Sequence, residues 1–219
     1  MAVFFSFVKR FGNRFSVYRN LNNFIQSYYM HQAFIDYLKK TGLNDLELQR
    51  IEKVIIPRKL RRRQYLLQEG EIARYNCFVV SGCLRMFHLS KTGAEHILRF
   101  AIENYWLSDY ESYHSSKPSK CFIEALEDCE LILITKEDLD LLCNDIPNLQ
   151  MLKNNWEVQC SDASQNRILS IISETPEERY IRFLQTNPHV FNRVPLHMVA
   201  SYLGMSRKTI SRIRQGYGR

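Results

Sequence analysis

The sequence predicts an α+β chain in three consecutive parts: a β-rich body, one long helix and a closing pair of short helices. Three observations carry this. Between residues 54 and 135, short runs rich in Val, Ile, Leu and Phe recur between Gly-centred turns, which is the spacing of a sandwich or small barrel. From Pro147 to residue 172 the turn signals disappear and a single helix fits. After Pro195, apolar residues return at three- and four-residue intervals, break at Gly204 and resume.

Taken in order, residues 1–29 alternate aromatic residues (Phe4, Phe5, Phe7, Phe11, Phe15, Tyr18) with Lys9, Arg10, Arg14 and Arg19. No apolar run there approaches the roughly 20 residues of a membrane span. Such a segment suits a membrane surface or an artefactual extension upstream of a start at Met30, and both readings stay open. A short amphipathic helix follows over 31–40, with Phe34, Ile35 and Leu38 on one side. Asn44 opens a second, with Leu46, Leu48 and Ile51 expected inward. Strands are expected at 54–59, 65–69, 77–81, 84–89, 96–101, 122–125 and 131–135, a count that suggests a jelly roll within 31–142.

The helix over 145–173 carries Leu149, Leu152, Trp156 and Ala163 near a 3.5-residue seam, interrupted by Asn154-Asn155 and Ser161-Asp162. We expect this seam to join two copies of the chain as a homodimer, the alternative being that the helix packs on the barrel. Thr175-Pro176 then marks a boundary: a capping residue, a proline suited to the first helical turn, and Glu177 and Glu178 to complement the helix dipole.

The last part, 176–219, is the most informative. Pro195 suits a first helical position, and Leu196, Val199, Ala200 and Leu203 lay one apolar stripe. Gly204 can end that helix in a left-handed cap, and Ser206 can cap the next, whose buried edge is Ile210 and Ile213. Ser206, Arg207, Lys208, Thr209, Ser211, Arg212 and Arg214 remain on or near the outer face. This is the layout of a helix-turn-helix, whose second helix enters the major groove of double-stranded DNA. The competing account is an ordinary helical hairpin with solvated cations.

Charge is distributed to match. Residues 1–29 carry four basic and no acidic groups; 30–173 carry 18 basic and 20 acidic; 174–219 carry eight basic and three acidic. A nearly neutral body with a basic C-terminal piece fits a sensor joined to a nucleic-acid reader. The cysteines, at 77, 83, 121, 129, 143 and 160, include no C-x-x-C pair, so buried free thiols are expected, without a metal or cofactor, in a cytoplasmic protein. An enzyme of the cupin type would need a close His-x-His pair. The barrel-region histidines, His88, His96 and His114, include none, although His88 and His96 could face one another across a hairpin. We therefore expect no enzyme activity.

The order of barrel, long helix and helix-turn-helix resembles the Crp/Fnr family of bacterial transcription regulators, in the branch common in Bacteroidetes-like bacteria. The resemblance covers residues 31–215. It is carried by Phe78-Val79-Val80-Ser81-Gly82-Cys83-Leu84-Arg85, Glu124-Ala125-Leu126-Glu127-Asp128-Cys129-Glu130-Leu131, Pro176-Glu177-Glu178-Arg179-Tyr180, and Ala200 through Arg207 with Ser211-Arg212-Ile213. It implies a cyclic-nucleotide-binding-like effector domain, a dimer helix and a winged-helix-like reader; few residues follow the second helix to build a wing. RNA polymerase is a further candidate partner. In members that bind cyclic AMP, a Gly-Glu pair and, about ten residues on, an Arg-Ser or Arg-Thr pair hold the phosphate. Counted back from Ala125-Leu126, this chain has Ser108-Asp109 and Ser119-Lys120 at those places, without the guanidinium fork. These four residues define the expected effector pocket, and cyclic AMP is not expected to fill it. The cysteines that precede the barrel in the oxygen-sensing branch have no counterpart, since the first here is Cys77.

Overall fold

The computed structural model describes residues 28–217. The expectations for residues 1–27 lie outside the described residues; Tyr28 and Tyr29 are exposed at the start of helix α1 (28–39). Phe34 and Leu38 of α1 are fully buried, the Phe34 ring 5.0 Å from Phe78 and 5.8 Å from Trp106. Asn44 caps α2 (Asp45–Glu52) in a reciprocal box with Glu47, each side chain accepting the other residue's backbone N–H. Leu48 and Ile51 face inward, but Leu46 is 74% exposed, a correction. Positions 46 and 48 lie about 200° apart around a helix, so they cannot share a face.

Eight strands follow: β1 (Ile56–Leu60), β2 (Tyr65–Leu67), β3 (Tyr75–Ser81), β4 (Leu84–Leu89), β5 (Glu95–Ala101), β6 (Trp106–Leu107), β7 (Cys121–Ala125) and β8 (Cys129–Thr135). They form two four-stranded antiparallel sheets, ordered β1-β8-β3-β6 and β2-β7-β4-β5. This is the expected two-sheet β body. The sequence reading missed β6 and the short helix α3 (Tyr110–Ser115) behind it, because two residues carry no readable period.

Alternation along the strands divides the apolar residues among three layers. Cys77 and Val79 of β3, with Leu131 and Leu133 of β8, fill the space between the sheets. Their neighbours Phe78, Ile132 and Ile134 face the other way, onto α1, α2 and α4 (Lys136–Asp145). Strands covered on both faces read as continuous apolar runs, which is why β3 and β8 show no polar alternation. On the far side of the second sheet, Cys83, Phe87, Ile97 and Phe100 pack against the C-terminal helices. Cys77, Cys83, Cys129 and Cys143 are buried, and burial pushes the Cys83 thiol up to about 12.

Helix α5 (Pro147–Ser173) links the two parts. Its apolar residues correct the expected seam. Leu149 and Trp156 are buried within this chain, Leu152 packs beside them, and the Trp156 ring stacks on Trp106 at 4.1 Å. They hold the helix to the sandwich, whereas Ala163 is exposed. The residues left bare are Met151, Val158, Ile168, Leu169 and Ile172, around the other side. A helix packed on its own domain and a helix packed on a second copy need the same period, so spacing alone does not choose the face.

The C-terminal part comprises α6 (Pro176–Thr186), α7 (Pro188–Phe191), α8 (Leu196–Tyr202) and α9 (Arg207–Tyr217). Thr175 caps α6 in a second reciprocal box with Glu178, and Pro176 occupies the first turn.

Candidate nucleic-acid interface

Helices α8 and α9 are joined by a turn whose geometry follows from its sequence. Pro195 does not enter α8. It stands one position earlier as the cap residue, with φ −59° and ψ 138°, and its carbonyl accepts from Met198 and Val199. Gly204 ends the helix at φ +66°. The Gly204 N–H donates to Ser201 and the Met205 N–H to Ala200, the paired bonds of a Schellman cap. Ser206 then accepts the Thr209 N–H at 3.0 Å, and its hydroxyl lies 2.8 Å from that of Thr209. Val199, Ala200, Leu203, Ile210 and Ile213 are buried in one cluster, which fixes the angle between the helices.

Once Ile210 and Ile213 are buried, the opposite face of α9 is set. Ser206, Arg207, Lys208, Arg212 and Arg214 are exposed; Thr209 and Ser211 are half-buried at its edge. None of the four cations forms an ion pair among the described residues. An exposed helix start with uncompensated guanidinium and ammonium groups can meet phosphates and base edges without first breaking internal pairs.

The residues counted to the effector pocket come together at one corner of the sandwich. Asp109 is the N-cap of α3 and is buried. The Ser119 hydroxyl donates to its Oδ2 at 2.6 Å, and the Ser108 hydroxyl donates to the Tyr75 carbonyl at 3.0 Å. Lys120 is not part of this corner: it is exposed and pairs with Glu111 at 2.7 Å. A buried carboxylate bonded by a hydroxyl therefore occupies the place where a phosphate would need a guanidinium. Beside it lies a cavity of about 470 Å³, lined largely by Leu66, Leu67, Ile72, Leu107 and Ile123.

Sensor and reader are locked together by side chains that the sequence reading did not single out. Arg193, in the loop before α8, makes two-pronged pairs with Glu103 and with Glu127, at 2.7–3.0 Å. Arg193 holds the Glu103 carboxyl down to about 2. The Ser201 hydroxyl of α8 donates to the Glu95 carbonyl and accepts the Ile97 N–H, both at 3.0 Å, along the open edge of β5. Buried Arg85 reaches Glu95 and Glu124 and lies 4.2 Å from the Phe87 ring centroid. A charged residue inside the apolar run Leu84-Arg85-Met86-Phe87 was the one visible signal for this network. His88 and His96 stand opposite one another in the β4–β5 register, His88 bonded through Nδ1 to the Lys120 carbonyl. Among the described residues, no group of three or more His, Cys, Asp or Glu is placed to hold a metal ion.

Comparison with known proteins agrees with this geometry. Residues 57–145 match the cyclic nucleotide-binding domain family. The chain as a whole has the fold of the Crp/Fnr-family transcription regulators. FixK2 from Bradyrhizobium japonicum superposes with a TM-score of 0.66 at 19% identity, over 74% of this chain and 84% of that one. The c-di-GMP-responsive global regulator CLP of Xanthomonas campestris gives 0.63 at 17% identity, over 80% and 92%. A protein assigned to the Crp/Fnr family from Eubacterium rectale gives 0.63 at 19%, over 81% and 84%. No curated sequence matches. Among the described residues, no helix is long and apolar enough to cross a membrane.

Proposed function

We propose that this chain is a cytoplasmic, sequence-specific DNA-binding transcription regulator without catalytic activity, acting as a homodimer on a palindromic operator. The observation that carries the reading is the Ser206-capped helix presenting Arg207, Lys208, Arg212 and Arg214 unpaired to solvent. Genomic fragments selected by the purified protein supply the operator, and titration of substituted proteins against it supplies the test. Arg212→Ala should cost about 1–3 kcal/mol at one base position if the guanidinium forks onto a guanine. Lys208→Ala should weaken all sequences alike and lower the salt slope by about one. Undiminished binding by a protein lacking Arg207, Lys208 and Arg212 refutes the assignment.

The dimer is assigned to the bare side of α5. Met151, Val158, Leu169 and Ile172 share that side and are each more than half exposed in the single chain. Two recognition helices held about 34–36 Å apart read half-sites whose centres lie about 10–10.5 base pairs apart. Leu169→Glu with Ile172→Glu should yield a folded monomer that has lost tight operator binding, since unpaired charge in an apolar seam is strongly unfavourable. Sedimentation measures it. A parent protein that is monomeric at micromolar concentration and binds one half-site tightly removes the dimer from the mechanism.

Cyclic AMP is not the effector in this reading, because the Asp109–Ser119 pair places an acceptor where the phosphate charge would lie. A ligand at a hundredfold excess over its Kd adds about 2.7 kcal/mol to stability. For a chain of this size that is a rise of about 5–11 °C in Tm. Submillimolar cyclic AMP should produce no such rise, and a clear one overturns this part of the proposal.

A further inference from the structure

A second cleft, separate from the corner around Asp109, lies where β5, α5 and the reader meet. Its volume is about 460 Å³, within the range of small-molecule sites. At about 30 Å³ per water molecule it has room for on the order of fifteen waters, or a compound of one or two rings. Its walls are aromatic: Trp106 and Trp156, stacked on each other, with Phe100 and Tyr202. Two guanidinium groups, Arg99 and Arg167, complete them, and no carboxylate among the described residues lines the cleft.

The hydrogen bonds of these residues are incomplete on one side only. Arg99 uses Nη2 to reach the Cys160 carbonyl and the Ser164 hydroxyl of α5, at 3.1 and 3.3 Å, while its buried Nη1 has no partner. Arg167 donates from Nη1 and Nη2 to the Leu98 and Ile97 carbonyls of β5, at 2.8 and 2.9 Å, and its buried Nε has none. Trp106 is 5% exposed and its Nε1 is likewise unpaired among the described residues. All three orphaned atoms are N–H donors. Neither guanidinium pairs with an acid among the described residues, and burial pushes the Arg167 pKa down. Unpaired buried donors and uncompensated cations both carry a free-energy cost that an anionic acceptor would remove.

We propose that this cleft is a binding site for a small planar anion, an aromatic or conjugated carboxylate, whose ring lies among the aromatic walls and whose carboxylate accepts from Arg99, Arg167 and Trp106. The chemistry selects that class. The arginines supply donors in planar arrays suited to carboxylate oxygens, and the rings favour a flat partner over a compact one. The ligand would touch the sensor through β5, the connecting helix through α5, and the reader through Phe183 and Tyr202.

The test is calorimetric titration of the full chain with trans-cinnamate and with its neutral amide. Cinnamate should bind saturably with a Kd in the millimolar range or tighter. The amide should bind about ten- to a hundredfold more weakly, the difference expected for hydrogen bonds to a charged group. Arg99→Gln should abolish that preference. Trp106→Phe keeps a ring and loses only the N–H, so it should weaken cinnamate several-fold, and it serves as the readout if Arg99→Gln does not fold. Absence of saturable binding up to about 10 mM, where affinity is weaker than about 3 kcal/mol, overturns the proposal. So does equal affinity for acid and amide, or unaltered cinnamate binding in both variants.

Discussion

Arg85→Ala should lower the unfolding free energy by about 3–5 kcal/mol, because it leaves a buried carboxylate without its counter-charge. The Arg85 side chain is 6% exposed and that of Glu124 10% exposed, while Glu95 retains 42%. Glu95 can return to water when the arginine is gone; Glu124 cannot, and it carries most of the penalty. The same substitution removes the guanidinium from the Phe87 ring and from the Met198 sulfur of the reader. For a chain of this length the loss corresponds to about 6–20 °C in Tm. Urea denaturation at neutral pH measures it. The double replacement Arg85→Met, Glu124→Leu should recover much of the loss, since an apolar pair of similar volume removes both desolvation costs. A loss below about 1 kcal/mol for the single substitution would place Glu124 in water and contradict its burial.

Gly82→Ala should cost nearly as much, by a different route. Gly82 sits between β3 and β4 at φ +101°. A Cβ there would lie 2.6 Å from the Cys129 sulfur, 2.7 Å from the Asp128 carbonyl oxygen and 2.8 Å from the Cys129 Cα. Two of those neighbours are backbone and cannot rotate aside. Overpacking of about 1–3 kcal/mol adds to about 1–2 kcal/mol for a side chain held in the left-handed region, for a total near 2–5 kcal/mol. The displacement also reaches the Arg193 clamp, because the Gly82 N–H donates to Glu103 at 2.9 Å. Gly204→Ala is the control. Its Cβ would meet only Ile171, at 3.4 Å or more, leaving the backbone term of about 1–2 kcal/mol. Equal losses at the two positions would mean that the turn at Gly82 yields more than its contacts allow. Denaturation midpoints measured side by side give the order.

What could be read before the structure was what depends on near neighbours. Thr175 with Glu178, Gly204 followed by Ser206, and the burial of Ile210 and Ile213 are decided within four or five residues, and each lies where the spacing put it. Counting back from Ala125 also located the corner at Asp109 and Ser119, though Lys120 points away from it toward Glu111. What could not be read depends on distant partners. The Arg193 pairs with Glu127 and Glu103 span 66 and 90 residues of chain, and nothing near Arg193 marks it. The face of α5 used against Trp106 was equally hidden, because Trp156 has the same period whichever surface receives it. Ser201 looked like a small polar residue in an amphipathic helix; its role appears only once β5 lies beside it.

That role bears on how this chain stays soluble in a crowded cell. Strand β5 closes its sheet on one side, and a bare sheet margin invites a stranger's strand to add itself. Here one hydroxyl from α8 and one guanidinium from α5 occupy the Ile97 N–H and the carbonyls of Glu95, Ile97 and Leu98. The DNA-reading helices therefore also serve as a guard against polymerisation of the barrel. A swing of the reader that pulls Ser201 away uncovers a template for intermolecular strand addition. Excursions of that kind carry an aggregation risk that rises with protein concentration, and the guard is restored when α8 settles back onto the strand.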